Sequence, residues 1–596
     1  MTKKPTHKTI AVLPFVNMSA SQDTEFFSDG ITEEIINALA KIRSLRVTSR
    51  TSSFFFKGKN LPITEIGKTL NVSTILEGSV RLSGDAIRIT AQLIQVEEDF
   101  HFWSETWDRK LENIFAIQDE ISLLIADKLR EHFGHLEFND HLVNKQTENV
   151  LAYEACLKAK YFENKWNPLD VKTAITHYEK ALELDINYPE AHLGLANCFS
   201  FLGTTAFIPF EEAWQKTIQY TNQALKLNTE LSGVHYQLSN QAFFIECDYN
   251  KSLVEMKRAI ELNPNHAEAH QFISFLYSVA EQQTLSNQHL EIALSLNPLS
   301  EETQFFRAYH HYMINDYPNA LQLLDACLLK NEKNIPAHSI KTLCLLKQNQ
   351  YDSAINYFDS MPQDTIIPGE KIGVIALAYA LKGDLNNTKK YFELLQDMAN
   401  SPNGFTADSY LFLFYAVTKN YDKAFEWVED AIKNKSSLLL LRMADPIANS
   451  LREDKRFNAL MSQIFAVKLS STNTSKTKRL IESREIKSYK AKLLNHLLEH
   501  KPYLESKLSL RLLANQINIH PNQLSWLLNE AVGQNFNSFI NSYRLEAFKE
   551  IVKNPKYVHL TIEALAYESG FNSKTVFNTY FKKQTGLTPK QYIKQL

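Results

Sequence analysis

The chain has 596 residues, of which 44% are hydrophobic and 22% charged, and its formal net charge is −3. This composition is typical of a folded protein of several domains, and it excludes wholesale disorder and collagen-like sequence. The five cysteines include no CxxC pair, which excludes a disulfide framework and a zinc ribbon. No run of 18 apolar residues occurs, so the sequence predicts no transmembrane helix and a cytoplasmic protein with no membrane partner.

Charge is distributed unevenly along the chain. Residues 470–596 contain 19 Lys and Arg against 9 Asp and Glu, whereas residues 1–469 contain 45 against 58. An acidic body joined to a basic end indicates that the end contacts a polyanion such as nucleic acid.

The first part of the chain alternates short apolar strands with helices. The predicted elements begin with a strand at 9–16 and a helix that Thr32 is expected to cap, with acidic residues in its first turn. A strand at 45–50, a helix at 61–71 and a strand at 72–82 follow. A turn at Gly84-Asp85, strands at 86–96 and 100–109, and a helix at 114–132 complete the order. This order predicts an α/β module over residues 9–132.

Seven short sequence motifs of this module resemble those of a known family. They are AVLPF, FFSDGITEEI, RTSSFFFKGKN, ILEGSVR, IRITAQLI, FWSETWDR and IFAIQDEI. In this order they resemble the TolB-amino-terminal-like module. In that family the module precedes tetratricopeptide arrays, often with adenylate cyclase or DNA-binding output domains, and the resemblance implies no catalytic residue.

The sequence predicts no enzyme, no cofactor and no metal site. It contains no GxxxxGK[ST] phosphate loop, no HExxH and no GxSxG word. The acidic cluster of Asp29, Glu33 and Glu34 is interpreted as the acid-rich first turn of a helix. An enzyme with an unrecognised site in 9–130 stays open as an alternative, and it would require turnover by this module.

The middle of the chain repeats with a period of 34 residues. Ala259, Ala293 and Cys327 are spaced by this period, and the register continues at Met361 and Leu395. Thirty-four residues is the tetratricopeptide period, with one helical hairpin per repeat and small residues where helices cross. About eight units are predicted over 150–445, and 438–461 resembles the segment that ends such arrays, so the predicted array with its cap spans 150–461.

Stacked helical hairpins leave a concave surface on which protein or peptide partners commonly bind. The sequence therefore predicts a protein or peptide partner in the groove of the array, or packing of the groove against the module at 9–130. Residues 465–487 are rich in Ser, Thr and Lys and are predicted to be a linker.

The last segment, 488–596, contains two copies of a two-helix pattern in which one helix braces and the next reads DNA. In copy one Ala514 is the small residue at the crossing, and Pro521 starts the reader helix. In copy two Ala566 lies at the crossing, Gly570 supplies the turn and Ser573 caps the reader helix. The helix at 536–554 is predicted to hold the two readers rigidly together.

This segment is similar to the AraC-type DNA-binding domain, because GFNSKTVFNTYFKKQTGLTP fits that family's GFxSxxxFxxxFKKxxGxTP word. The resemblance implies the following site residues. Base-reading positions are Asn522, Ser525 and Trp526 in copy one and Lys574, Thr575 and Thr579 in copy two; phosphate positions are Ser573, Lys582 and Lys583. Copy one has no Lys or Arg between Asn522 and Asn529, so amides and DNA shape would dominate its reading, and Trp526 either contacts a base or packs.

Together these features predict a multidomain chain with an N-terminal α/β module, a central all-α tetratricopeptide solenoid and a C-terminal all-α double helix-turn-helix. The predicted function is a one-component bacterial transcription regulator that binds double-stranded DNA. In it the module and the array form the sensory or protein-interaction input. The alternative is a protein-interaction scaffold or adaptor in which DNA binding is secondary.

Overall fold

The structure is a computed structural model. It describes residues 8–19, 25–110, 114–143, 147–165, 168–204, 207–401, 404–465 and 480–596. Within this part of the chain, no helix is long and apolar enough to cross a membrane.

The N-terminal module is built on one mixed sheet. Its strands are β1 (Lys8–Val12), β2 (Val16–Asn17), β3 (Leu45–Val47), β4 (Thr74–Ser83), β5 (Ala86–Gln95) and β6 (Phe100–Lys110). The order is β3-β1-β4-β5-β6, and β2 also pairs with β4. Strand β1 pairs in parallel with β3 and β4, β2 pairs in parallel with β4, and the β4–β5 and β5–β6 pairs are antiparallel. Its helices are α1 (Glu25–Ala40), α2 (Arg50–Phe54), α3 (Ile63–Leu70) and α4 (Ile114–Phe133).

Apolar side chains of α1 and α4 pack on one face of the sheet, and those of α3 pack on the other. The prediction that Thr32 caps a helix is wrong: Thr32 lies inside α1, where its hydroxyl donates to Ser28 O and accepts the N–H of Phe15. The strand predicted at 9–16 is interrupted between β1 and β2, where Pro14 has no N–H to donate to a neighbouring strand.

The central part of the chain forms helical hairpins. Over the described residues these are eight pairs: α5 (Val150–Glu163) with α6 (Pro168–Leu184), α7 (Pro189–Thr204) with α8 (Phe210–Leu227), α9 (Ser232–Phe244) with α10 (Tyr249–Leu262), α11 (Ala267–Val279) with α12 (Gln283–Leu296), α13 (Glu301–Met313) with α14 (Tyr317–Lys330), α15 (Ile335–Lys347) with α16 (Tyr351–Asn356), α17 (Pro368–Lys382) with α18 (Leu385–Ala399), and α19 (Phe405–Val417) with α20 (Tyr421–Lys433). The all-α solenoid predicted from the 34-residue period is confirmed.

The residues spaced by the 34-residue period are all buried, and those at Ala259, Ala293 and Cys327 lie in the second helices of their hairpins. Ala259 and Ala293 are fully buried. Ala259 belongs, with the buried Cys327, Met361 and Leu395, to one hydrophobic cluster that spans most of the array. The sixth pair is the least regular, because α16 has only six residues and continues as a 3-10 turn at Tyr357–Asp359.

The module docks on the edge of the array through buried polar contacts. The amide nitrogen of Asn265 donates to Ala40 O at 2.8 Å and to Leu45 O at 3.0 Å, and its oxygen accepts the N–H of Val47 at 3.0 Å. One repeat later, Ser52 Oγ donates to Asn297 Oδ1 at 2.6 Å. The turns between successive repeats therefore hold the edge of the sheet and the start of α2.

The end of the array folds back along earlier repeats. It consists of α21 (Leu438–Arg442), a 3-10 segment at Pro446–Glu453 and α22 (Lys455–Ile464). Tyr312 of α13 donates its hydroxyl to Asp445 at 2.5 Å, and the ring of Phe465 lies 4.9 Å from that of Tyr249. The chain's own end thus covers part of the surface of α13 and of the third hairpin.

The C-terminal segment is all-α. It contains α23 (Ser483–His500), α24 (Leu510–Gln516), α25 (Pro521–Trp526), a π-helical stretch at Leu527–Val532, α26 (Phe536–Lys553), α27 (Ile562–Glu568), α28 (Lys574–Thr585) and α29 (Pro589–Ile593). Helix α23 begins inside the predicted linker 465–487. Glu482 and Glu485 form a capping box at its start, and Leu493 and Leu497 bury its inner face. Residues 466–479 of the predicted linker lie outside the described residues.

Asn265→Ala tests the docking of the module on the array. The substitution leaves the N–H of Val47 and two buried carbonyls without this partner, at a cost of about 1–3 kcal/mol. We expect hydrogen exchange of the Val47 amide to accelerate by about tenfold or more. The control is Lys333→Ala, at the same repeat position two repeats later, where the side chain is exposed and bonded only to Asp364. Equal exchange at Val47 in the two variants would contradict this docking.

Candidate nucleic-acid interface

Copy one of the helical pattern is formed by α24 and α25. Ser509 caps α24, and Ala514 is fully buried where the two helices cross. The turn between them contains Asn518 at φ 48°, a left-handed conformation that asparagine tolerates. His520 caps α25, and Pro521 occupies the first helical turn, where its missing N–H has no intrahelical partner to lose.

Copy two is formed by α27 and α28 in the same way. Thr561 caps α27, and Ala566 is buried at the crossing. Gly570 makes the turn at φ 91°, and Ser573 caps α28 by accepting the N–H of Val576. The inner face of α28 is anchored by buried phenylalanines, Phe577 and Phe581, as their spacing predicts.

Helix α26 joins the two copies. Phe539 and Ile540 pack in the cluster of copy one, whereas Leu545 and Phe548 pack in that of copy two. Arg544 donates to the carbonyls of Tyr503 and Glu505. Burial lowers the pKa of Arg544 to about 10, which leaves it charged at neutral pH. The connecting helix is therefore fixed to both copies, and their relative orientation is set by packing.

The reader helix of copy two presents its predicted residues to solvent. Lys574, Thr575, Thr579, Lys582 and Lys583 are exposed, and Ser573 is half-buried. Of these residues Lys574, Thr579 and Lys582 line an open hollow between α28 and the starts of α27 and α29, to which Lys590 adds another exposed lysine. A capped helix with an exposed polar and basic face has the form needed to enter a major groove.

Lys574 is held by an acidic neighbour on the bracing helix. Its Nζ lies 2.9 Å from Glu563 Oε2. This hydrogen bond raises the pKa of Lys574 and lowers that of Glu563, so both are charged at neutral pH. The ammonium of Lys574 lies on the exposed face of α28. To bind DNA, it would have to exchange Glu563 for an acceptor on the duplex.

The reader helix of copy one is arranged differently from the prediction. The expectation that Ser525 faces outward is wrong: it is 0% exposed, and its hydroxyl has no hydrogen-bond partner. Asn522 is half-buried, and its amide bonds to Arg130 and to the carbonyl of Phe138 in the N-terminal module. Trp526 is half-buried and packs on the cluster of copy one. The end of α4 and the residues after it cover the face that was expected to meet DNA.

Sequence reasoning missed the residues that cover this face. Arg511 at the start of α24 donates to Asp127 at 2.9 Å and to Asp140 at 2.8 Å. Glu131 accepts the backbone N–H of Leu510 at 2.8 Å. No motif or spacing signals these contacts, because the partners lie more than 370 residues apart in the chain.

The described residues contain no group of three or more His, Cys, Asp and Glu side chains that could hold a metal ion. Burial shifts the pKa of a histidine near the end of α4. Desolvation lowers the pKa of His132 to about 4, so its ring is neutral where it stacks on Phe102 at 4.1 Å.

The two ends of the chain match family models. Residues 513–595 match the helix-turn-helix domain. Residues 6–124 match the second domain of HilA/YgeH-like transcriptional regulators. The first match confirms the AraC-type double helix-turn-helix at the C-terminus, and the second assigns the α/β module to a domain type found in transcription regulators. Residues 127–140 and residues 510–511, which face each other, lie outside both matches.

Two curated relatives are similar to parts of the chain. Putative adenylate cyclase 3 of Rhizobium meliloti (strain 1021) is 37% identical over 204 residues, which is 34% of this chain and 34% of that protein. Anaphase-promoting complex subunit 3 of Schizosaccharomyces pombe (strain 972) is 23% identical over 193 residues, 31% of this chain and 28% of that protein. The chain therefore spans about a third of the length of these relatives.

Solved structures with partial likeness include a tetratricopeptide repeat protein from Parabacteroides merdae ATCC 43184. It is 16% identical, with a TM-score of 0.28, and the match covers 50% of this chain and all of that one. The human IFIT1 dimer with m7Gppp-AAAA is 14% identical, with a TM-score of 0.33, and the match covers 70% of this chain and 86% of that one.

Gly570→Ala tests the turn of copy two. An added Cβ would lie 2.2 Å from Tyr503 O and 2.8 Å from Leu504 Cα, which are backbone atoms. Gly586→Ala is the matched control, because Gly586 also has positive φ and its added Cβ meets nothing within 4 Å. Both variants should pay about 1–2 kcal/mol for the left-handed backbone, and Gly570→Ala a further 1–3 kcal/mol or so for the clash. Hydrogen exchange of the α28 amides measures this difference, and equal protection in the two variants would contradict the packing described.

Proposed function

We propose that this chain is a sequence-specific, one-component transcription regulator that binds double-stranded DNA through its C-terminal double helix-turn-helix. The observation that carries the proposal is the reader helix α28, which is capped, rigidly braced and exposed along its basic face. The helix-turn-helix match and the HilA/YgeH-like match support the same conclusion, since both are domains of regulators.

Within copy two, Lys574, Thr575 and Thr579 are proposed to read base edges, because they lie on the exposed face of α28. Lys582 and Lys583 follow at the end of the helix and are proposed to contact phosphates. The hydroxyl of Ser573 accepts a backbone N–H in the cap, and its own proton can be donated to a phosphate.

Within copy one, Asn522, Ser525 and Trp526 are proposed as the base-reading residues. In the described state they are covered to different degrees, so reading by copy one requires that its surface be released. When both copies are engaged, α26 would place their readers in successive major grooves on one face of the duplex, about 34 Å apart.

The array and the module are proposed to form the input. Helical-repeat surfaces commonly bind proteins or peptides, and this array is joined to the module by buried hydrogen bonds. The proposal assigns no reaction to the chain, and it places the protein in the bacterial cytoplasm, where it would reach chromosomal DNA. The scaffold alternative differs in expecting no discrete binding site on DNA.

Replacing Lys582 and Lys583 by Ala tests phosphate binding. Each lost phosphate contact should reduce the slope of log K against log salt by about 0.9, so the slope should fall by about 2 while base preference is kept. The control is Lys389→Ala with Lys390→Ala, an equally exposed adjacent pair on α18 with the same change in charge. Equal salt slopes for the two double variants would contradict phosphate contact by α28.

Base reading is tested by site selection from a random duplex library with single variants of the full chain. Lys574→Ala and Thr579→Ala should relax preference within one short element, and Asn522→Ala within a second element one helical turn away. Each lost pairing should cost about 1–3 kcal/mol at its base pair. Lys583→Ala should weaken all sequences about equally. If Asn522→Ala lowered affinity equally for all sequences and Lys583→Ala changed the base preference, the assignment of base-reading and phosphate-binding residues would be reversed.

A further inference from the structure

The module contacts copy one through the end of α4 and the residues that follow it. We call residues 127–140 the clamp. Arg130 Nη1 donates to Asn522 Oδ1 at 2.7 Å, and Asn522 Nδ2 donates to Phe138 O at 3.1 Å. Asn535, at the start of α26, donates to the carbonyl of His132 at 2.8 Å. These bonds join segments 384 to 403 residues apart in the chain, and Arg130 is 1% exposed where they meet.

The clamp uses the atoms that a DNA-reading asparagine needs. Bidentate recognition of adenine requires the amide oxygen of asparagine as acceptor and its nitrogen as donor. In this structure both atoms of Asn522 are bonded to the module. Ser525, three residues after Asn522, is completely buried. Asn529, seven residues after Asn522, lies against Gly134 of the clamp. This face of the reader cannot contact bases while the clamp is closed.

Carboxylates of the clamp accept hydrogen bonds from donors of copy one that could otherwise bind DNA phosphates. Asp127 and Asp140 both accept from the guanidinium of Arg511, and Glu131 accepts the main-chain N–H of Leu510. Arginine side chains and backbone N–H groups are common phosphate ligands in protein–DNA complexes. The clamp thus gives copy one hydrogen-bond partners for the side-chain amide of Asn522 and a set of negative charges. A duplex would supply the same two features through its bases and its phosphates.

We propose that the clamp is an autoinhibitory surface that imitates DNA, so that copy one is held off DNA until residues 127–140 are released. The inference rests on the proposed DNA-binding function. In the closed state copy two alone presents its reader, which supports weak binding through a single groove. Release of the clamp adds the second reader and raises affinity.

The closed contact retains buried polar groups without partners. Ser525 Oγ, Arg130 Nε and His135 Nδ1 are buried and have no hydrogen-bond partner. Such groups cost free energy that is recovered when water reaches them. The closed state is therefore opposed by its own unpaired atoms, as expected of a contact that has to open.

The same module also contacts the array, which gives a signal a route to the clamp. Lys160 of α5 lies 3.5 Å from both Glu34 of α1 and Glu190 of α7, and α1 packs beside α4 in the sheet's main core. A partner that shifts the first hairpins would therefore shift α1 and, through the core, α4. The clamp lies at the far end of this path.

The first test opens the clamp in the full chain without touching a DNA-reading residue. Asp127→Asn with Asp140→Asn removes the two charges that hold Arg511 and preserves side-chain shape. The probe is a duplex selected from a random-sequence library. We expect affinity to rise by about tenfold, since apparent affinity scales with the competent fraction. Asp108→Asn with Asp352→Asn is the control, because it makes the same change in net charge at two exposed ion pairs outside the clamp.

The second test locks the clamp and does not depend on how the first variant folds. A Cβ built on Gly134 lies 3.0 Å from Asn529 Cγ, close to the separation of about 3 Å between a Cβ and the far sulfur of a disulfide. The Gly134→Cys, Asn529→Cys chain should bind the duplex about tenfold more weakly when oxidised than after reduction. Each single cysteine variant, treated in the same way, is the control for the strain at Gly134, whose φ is 91°.

The outcomes separate the clamp from DNA binding itself. Tighter binding by the opened chain and weaker binding by the oxidised lock support the proposal. DNA binding that is unchanged in both variants, although the Leu510 amide exchanges faster in the opened chain, would overturn the clamp and leave the proposed function standing. Absence of DNA binding by every form, the opened and reduced ones included, would overturn the proposed function and the clamp with it.

Discussion

The guanidinium of Arg130 is a buried charge, and a buried charge must be paired wherever it lies. Here its partners come from two parts of the chain: Asp127 on its own helix, and Asn522 on the reader helix of copy one. Arg511 pairs with Asp127 and Asp140 across the same contact. The arrangement of module and DNA-binding segment depends on this charged network, because removing one partner would leave another charge buried without compensation.

This network explains the asymmetry between the two copies. Both have the same construction, with a capped bracing helix, a tight turn and a reader helix packed through apolar residues. They differ in what lies against the reader. The face of α28 is open, with its lysines in solvent, whereas the face of α25 is covered by α4 and its C-terminal extension. A regulator built in this way has one reader available and one held in reserve.

Much of this fold follows from local sequence. The 34-residue spacing of Ala259, Ala293 and Cys327 predicts the hairpins, since helix crossings need small side chains at fixed intervals. The cap at Ser573 and the glycine turn at Gly570 locate α28, because both act within a few residues. The exposed positions of copy two could be predicted for the same reason: the inward phenylalanines determine which face remains outside.

What could not be predicted arises from contacts between distant segments. Ser525 is expected on the outer face of its helix, yet it is completely buried in a chain where Asn522, three residues earlier, and Asn529, four residues later, both meet residues 127–140. Thr32 has a capping side chain, yet it lies inside α1, where its hydroxyl accepts the N–H of Phe15 from the segment between β1 and β2 and donates to Ser28 O. In both cases the local signal was correct in kind, and tertiary packing decided the outcome.

If the clamp imitates DNA, the clamp and a duplex compete for the reader of copy one. Hydrogen exchange of residues 127–140 and 521–532 in the full chain, with and without a selected duplex at saturating concentration, tests this directly. We expect DNA to lower exchange in 521–532 and in α28 and to raise exchange in 127–140, because the clamp leaves as the duplex enters. Unchanged protection of 127–140 in a complex where both reader helices are protected would contradict it.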